Sequence, residues 1–414
     1  MQFILKVLGP VSVIVCLVAS CAAPAAPSDD ATGEGGAGGT DEPTGQGGAA
    51  GAPLVGGMGG EASPNAGGAA PDAAASGAGG AGGRSAPDAG RSAPDAAPVV
   101  APVPTGRVPM FVAIGPGLRT TISCDDGRSW VENRLEKETD NDFSHDETNI
   151  HGAVFTNGRF YYPAGWGQTT TRVFASENGI TWQRLYQGGA HQSNSMVATG
   201  DVLLFGEGSA IRRSDDGGQN WTPITLPDKI AHMRLAYGDV MGGRFVAGGR
   251  DGRHVFSGDR GRTWRKAQGQ GGHYPVFGGG VFVSFQRIGG NLVRSVDGGA
   301  TWQRVSCCGN PSYIAQVFWN GERFLLYRND SVWGSADGEA WTKLGALKIG
   351  DLEVMARNPH SGNYVAARPG RPVRFYNSRD GINWSPVPDG SFDRRGDEIK
   401  YITFGYGLPS ANCR

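Results

Sequence analysis

Charge in this chain is carried with very little lysine. Residues 105–414 hold 6 lysines against 29 arginines, while acidic and basic residues of the whole chain nearly cancel, at a formal net charge of −1. No basic stripe and no nucleic-acid-binding motif is present, which argues against a nucleic-acid partner. Long apolar runs are scarce as well. The one candidate, Val7 to Val18, is short and broken by Gly9 and Pro10, so it does not read as a membrane-spanning helix. No segment carries the period of a long amphipathic helix, and short alternating strands with turn signals between them point to an all-β fold. Cysteine is rare too, at six residues.

Glycine and tryptophan are present in a fixed order. Seven segments read SCDDGRSW (from Ser123), SENGITW (from Ser176), SDDGGQNW (from Ser214), SGDRGRTW (from Ser257), SVDGGATW (from Ser295), SADGEAW (from Ser335) and SRDGINW (from Ser378). Their tryptophans are spaced by 52, 39, 43, 38, 39 and 43 residues, close to the length of one four-stranded propeller blade. In each turn the serine and the acidic residue can hold backbone N–H groups, glycine supplies a positive φ, and tryptophan covers the hairpin. Asp125, Asp216, Asp259, Asp297, Asp337 and Asp380 are therefore read as folding devices. Asn178 at the remaining turn fits that role, since an amide caps a turn but cannot act as a general acid.

These turns resemble the Asp-box, or BNR, repeat of the sialidase-like β-propellers. The resemblance implies a seven-bladed propeller over residues 105–414. The domain opens with a second-type strand at 110–114, and IKYITFG (399–405) has no strand after it, so the C-terminal segment is expected to complete the first blade and remove the ring's edges. Activity does not transfer with the fold. Sialidases carry an Arg-x-Pro motif early in the first blade, an arginine triad, an Asp acid and a Tyr–Glu nucleophile. Here Arg107-Val108-Pro109 matches the motif only superficially, 16 residues before Ser123, and no triad can be assigned, so a sialidase is not expected.

Residues 1–21 resemble a bacterial lipoprotein signal, with Lys6, an apolar stretch, and Val-Ala-Ser before Cys21, the expected lipidation site. Ala22 after it favours the outer membrane or cell surface by the same resemblance. Residues 22–104 are rich in Gly, Ala, Pro, Ser and Asp and repeat RSAPDAG as RSAPDAA, which predicts a disordered tether. As a flexible coil it would span roughly 50 Å. Residues 1–104 contain nine acidic and three basic residues, leaving 30 acidic and 35 basic in the propeller. Of the four cysteines in the domain, Cys124 and Cys413 are expected to bridge the ring's ends, with Cys307 and Cys308 paired to each other or left as thiols.

In propellers ligands generally bind the face opposite such turns, built from the loops that join blades and the loops between second and third strands. His151, His191, His232 and His273 recur there at intervals of 40, 41 and 41, and Tyr313, Asp351 and Lys400 hold comparable places. Converging imidazoles can bind a divalent metal or act as bases; a repeat also inherits such residues without function. No cofactor is otherwise expected. Arg119, Arg172, Arg250, Arg287, Arg328 and Arg368 lie in the corresponding loops and suit an anionic ligand, or form an ordinary arginine-rich surface. Trp166 can stack on a sugar face or pack in its loop, and the acidic loop 131–149 is a wall of the site or a solvated loop.

Two functions follow as expectations. One is a surface-tethered monomeric propeller that binds an extracellular glycan or protein. The other is a glycosidase or polysaccharide lyase on anionic glycans. At least two of the histidines meeting Tyr313 or an arginine in one pocket would point to the enzyme; histidines splayed outward or buried between strands would point to binding.

Overall fold

The computed structural model describes residues 101–115, 119–134, 152–165, 170–190, 192–309, 313–350, 352, 354–368, 373–387, 399–411 and 413. The signal, Cys21 and nearly all of the tether lie outside them. Within them the chain forms seven four-stranded antiparallel sheets in a closed, seven-bladed propeller.

Six blades run in simple order from an innermost to an outermost strand. Blade 2 holds Val154–Thr156, Arg159–Ala164, Thr170–Ser176 and Gln183–Ala190; blade 3 Ser193–Thr199, Val202–Glu207, Ala210–Ser214 and Thr222–Ile224. Blade 4 holds Arg234–Gly238, Arg244–Gly248, His254–Ser257 and Arg265–Lys266; blade 5 Tyr274–Gly278, Val281–Phe285, Leu292–Ser295 and Gln303–Arg304. Blade 6 holds Gln316–Trp319, Phe324–Arg328, Ser331–Ser335 and Thr342–Ala346; blade 7 Val354–Arg357, Tyr364–Arg368, Arg374–Ser378 and Ser385–Pro386. Second strands such as Val202–Glu207 and Val281–Phe285 are buried along their whole length and are accordingly rich in Val, Leu and Phe, whereas the outermost strands are mostly exposed.

Blade 1 is built from both ends of the domain. Its innermost strand is the C-terminal Tyr401–Gly407, paired with Val108–Ile114 over seven positions from Val108↔Gly407 to Ile114↔Tyr401; Arg119–Ser123 and Val131–Arg134 complete it. Beyond the ladder, Cys124 and Cys413 are disulfide-bonded, with Cα atoms 5.5 Å apart. On the other side of blade 1, Asp126 accepts hydrogen bonds from Asn358 Nδ2 at 2.9 Å and Ser361 Oγ at 2.8 Å, and its carbonyl accepts one from Asn363 Nδ2 at 2.8 Å. Trp130 stacks on Phe375 of blade 7 at 3.9 Å, closing the same seam with apolar area.

The seven repeated turns join third to fourth strands, and each is built alike. The serine hydroxyl donates to the Asp or Asn two residues on, at 2.7–3.2 Å, in every copy. In six copies the serine oxygen also accepts the N–H of the turn glycine, and in five the tryptophan indole N–H donates back to that glycine's carbonyl. The glycines take φ between +70° and +92°, a region that side-chain-bearing residues avoid. They also face the preceding blade. A Cβ on Gly261 would lie 2.7 Å from Leu204 of blade 3, and one on Gly381 would lie 2.8 Å from Leu325 of blade 6.

Gly261→Ala therefore meets both a backbone and a packing penalty, and should lower stability by roughly 2–4 kcal/mol in urea unfolding. A loss below about 0.5 kcal/mol would show that the turn does not wedge the blades. Replacing Cys124 and Cys413 together by alanine should cost about 2–5 kcal/mol in the same assay, because the bridge closes a 289-residue separation.

A cationic cavity at the mouth of the channel

The innermost strands present one equivalent position each to the central channel, on the face opposite the repeated turns. Counting three residues along the second strand from the residue paired with the turn serine, the innermost-strand partners are Tyr401 (opposite Ile114), Arg234 (opposite Gly248), Tyr274 (opposite Phe285), Gln316 (opposite Tyr327) and Val354 (opposite Ala367). All five line one cavity of about 300 Å³, joined by Ser195, Arg287 and Lys400.

Among the described residues that line it, three are cationic and none is acidic; Asp351 and Glu353, beside the lining residue Val354, lie outside the described residues. The guanidinium of Arg234 lies 5.2 Å from the centre of the Tyr274 ring, and that of Arg287 lies 5.3 Å from the same ring. Each gains cation–π attraction, and two like charges share one aromatic ring. Burial lowers the pKa of Arg234 from its ordinary value, with Tyr274 opposing and Arg287 adding to the shift. Arginine nonetheless remains charged. Its Nη1 is buried and donates to no hydrogen-bond acceptor among the described residues. Such a group is costly unless something satisfies it. The backbone N–H of Lys400 donates to Ile114 O at 2.8 Å, which fixes the lysine at the rim through the closing ladder.

The sequence candidates distribute as follows. His151, His191 and Trp166 lie outside the described residues, as does the acidic loop beyond Arg134. His232 and His273 do meet, through the ring of His273 and the backbone of His232. His273 is buried, its Nε2 bonds the carbonyl of His232, and its backbone N–H donates to Phe285 O at 2.8 Å. Its ring packs 4.3 Å from Tyr274, so it backs the ring that both arginines face. Tyr313 packs against the apolar seam of blades 6 and 7 and forms an antiparallel bridge with Ile288.

Of the six arginines expected to gather around a ligand, Arg287 is the one whose described side chain lines the cavity. Arg172 is fully buried in blade 2, Arg250 and Arg368 are exposed, and Arg328 is half-buried near Gly309. Arg119 contributes a backbone pairing with Arg134, its side chain lying outside the described set. Among the described residues no group of three or more His, Cys, Asp or Glu is placed to hold a metal ion.

Two buried features escaped the sequence. His254, in the third strand of blade 4, stacks on Trp302 at 4.1 Å and 11° and reaches Ser284 Oγ at 3.2 Å; a single histidine in an apolar strand carries no pattern to flag it. At the blade 2–3 rim, Tyr186 donates to Glu207 at 3.1 Å while Arg212 Nε donates to the same carboxylate at 2.6 Å. Burial, reinforced by Glu207, pushes the Tyr186 phenol up to about 12, so at neutral pH it is a hydrogen-bond donor and not a nucleophile.

No protein-family model matches the chain, and no curated protein sequence does. Solved structures match its fold. A Bacteroides fragilis protein provisionally assigned as a 6-phosphogluconolactonase is 12% identical, with a TM-score of 0.52, over 73% of this chain and 98% of its own. A functionally unknown protein from Desulfotomaculum acetoxidans is 10% identical, with a TM-score of 0.51, over 73% of this chain and 99% of its own. YCF48 bound to D1 peptide is 15% identical, with a TM-score of 0.47, over 64% and 91%. At these identities the likeness is one of fold.

Burial holds His254 down to about 3 and His273 down to about 4, the hydrogen bond from His273 to the His232 carbonyl partly offsetting its shift. Both are neutral when folded at pH 7. Between pH 6.5 and 4 the unfolded chain takes up protons that the folded chain refuses, so stability should fall as pH falls, by roughly 3 kcal/mol from His254 alone at pH 4. A second decline should follow below pH 3.8, where Asp216 and Asp259 are each held to about 2 by hydrogen bonds within their turns. Urea midpoints at pH 7, 5.5 and 4 check this; a flat profile in the protein, or an unchanged slope in His254→Gln, would contradict it.

Proposed function

We propose that this propeller is a surface-tethered binding protein that takes an anionic group of an extracellular glycan or protein ligand at the mouth of its channel. The observation that carries the reading is the pairing of Arg234 and Arg287 on the Tyr274 ring, beside Lys400, in a cavity whose described lining residues include no carboxylate. A planar carboxylate or a sulfate meets guanidinium geometry through paired N–H donors. The tether and its lipid at Cys21 belong to the same proposal, as does action as a monomer without cofactor.

Turnover has less support than binding. His273 is buried with its Nε2 on the His232 carbonyl, the Tyr186–Glu207 pair is engaged with Arg212 at a rim seam, and no described residue lining the cavity is a histidine or a carboxylic acid. A glycosidase or lyase would need at least one group near the ligand able to exchange a proton at neutral pH.

The test is a screen against uronate-bearing, sialylated and neutral glycans, scoring retention and product release together. Anionic glycans should be retained over neutral ones, with an affinity that weakens as salt rises. Arg234→Gln should weaken retention about 10–100-fold, the worth of a charge-assisted hydrogen-bond pair. Equal retention of neutral glycans, or full retention by Arg234→Gln, would remove the channel-mouth reading. Released product would replace binding with catalysis.

A further inference from the structure

Cys307 and Cys308 are bonded to each other, with Cα atoms 3.7 Å apart, in the connection from the outermost strand of blade 5 to the innermost strand of blade 6. The pair lines a cavity of about 540 Å³, within the range of small-molecule sites, together with Arg304, Asn291, Ser306 and Ile314. The two sulfurs differ in access. Cys308 is buried against Leu292 and Ile314, whereas Cys307 is only partly covered. Arg304 is exposed at the same cavity and has no carboxylate partner among the described residues. Cys308 also takes φ +64°, a left-handed conformation that non-glycine residues seldom adopt.

We propose that Cys307–Cys308 is a redox-active site that exchanges with small anionic thiols entering through this cavity. The incoming thiolate attacks Sγ of Cys307, the accessible sulfur. A sulfur–sulfur bond forms between the ligand and Cys307, the Cys307–Cys308 bond breaks, and its electron pair leaves on Cys308, which takes a proton. A second thiolate then attacks the ligand sulfur of the mixed disulfide, releasing the oxidised small disulfide and leaving Cys307 to be protonated. The protein pair is reduced by two electrons and two small thiols are oxidised. Arg304 draws the anionic thiol in and favours its thiolate form.

The consequence reaches the channel. Ile314, six residues beyond Cys308, donates its N–H to the carbonyl of Arg287 at 3.0 Å, and Tyr313 bridges Ile288 next to it. Opening the bond frees Cys308 from its left-handed backbone and loosens the segment that holds Arg287.

The experiment treats the folded protein with reduced glutathione, or with cysteamine as a cationic comparison, and follows both disulfides by timed alkylation and mass spectrometry. Cys307–Cys308 should open at least about tenfold faster than Cys124–Cys413, and Cys308→Ser exposed to oxidised glutathione should carry the adduct on Cys307. Glutathione should outpace cysteamine by at least about threefold after correction for their thiolate fractions, and Arg304→Gln should erase that preference. Amide exchange at Ile314 should quicken in the reduced protein. Reduction only on unfolding, or Cys124–Cys413 opening first, overturns the site. A preference that survives Arg304→Gln overturns the role of Arg304, and unchanged exchange at Ile314 overturns the link to Arg287. None of these readouts uses a channel ligand, so they stand apart from the outcome of the glycan screen.

Discussion

Each blade rests on the one before it through a residue that has no side chain. Glycines at the repeated turns face Val365 from blade 1, Val112 from blade 2, Leu204 from blade 4, Val246 from blade 5, Val283 from blade 6 and Leu325 from blade 7, with Gly218 of blade 3 against Leu185. Serine and the acidic or amide residue shape that contact before it forms, because their hydrogen bonds stay within the turn. The turn is thus a preformed wedge, and the ring is a sum of seven seams of the same kind. Protein interiors tolerate neither gaps nor overlaps of even one methylene, so a Cβ at one wedge would be felt around the circle.

What could be read from the sequence follows from how local its cause is. A turn whose hydrogen bonds span two to four residues leaves a complete signature in eight letters, and seven copies in register announce blade number and the closing strand. The Cys124–Cys413 pairing depends on the same closure, and the chain ends do meet there. The cavity is different. Arg234 and Arg287 approach one ring only because blades 4 and 5 stand side by side, and which residue of an innermost strand faces the channel depends on a register no single segment displays. The histidine series showed period without direction: His273 lies at the expected place in its blade, but backbone geometry turns its ring toward the His232 carbonyl. Arg172 likewise sits where a binding arginine was expected and is buried among strands.

Repetition and chemistry are thereby divided between the two faces. On the turn face, equivalent residues do equivalent work, and carboxylates such as Asp216 are fully engaged with their own backbone. At the channel mouth the equivalent positions hold Tyr401, Arg234, Tyr274, Gln316 and Val354, four different side chains at five places on one frame. The backbone frame there is set by the ladders, while the side chains it presents differ from blade to blade.

Closure by Tyr401–Gly407 also sets an order in time. The strand Val108–Ile114 is among the first parts of the domain to be made, yet its inner partner is separated from it by almost the whole domain. Until that last strand arrives, a growing chain with every other blade in place is an open arc with an unpaired edge in blade 1 and a bare flank on blade 7. Unpaired edges invite foreign strands, and contacts so distant in sequence form slowly. The ring that has no edges when finished therefore spends its synthesis with one exposed, and its vulnerable period ends only with its final residues.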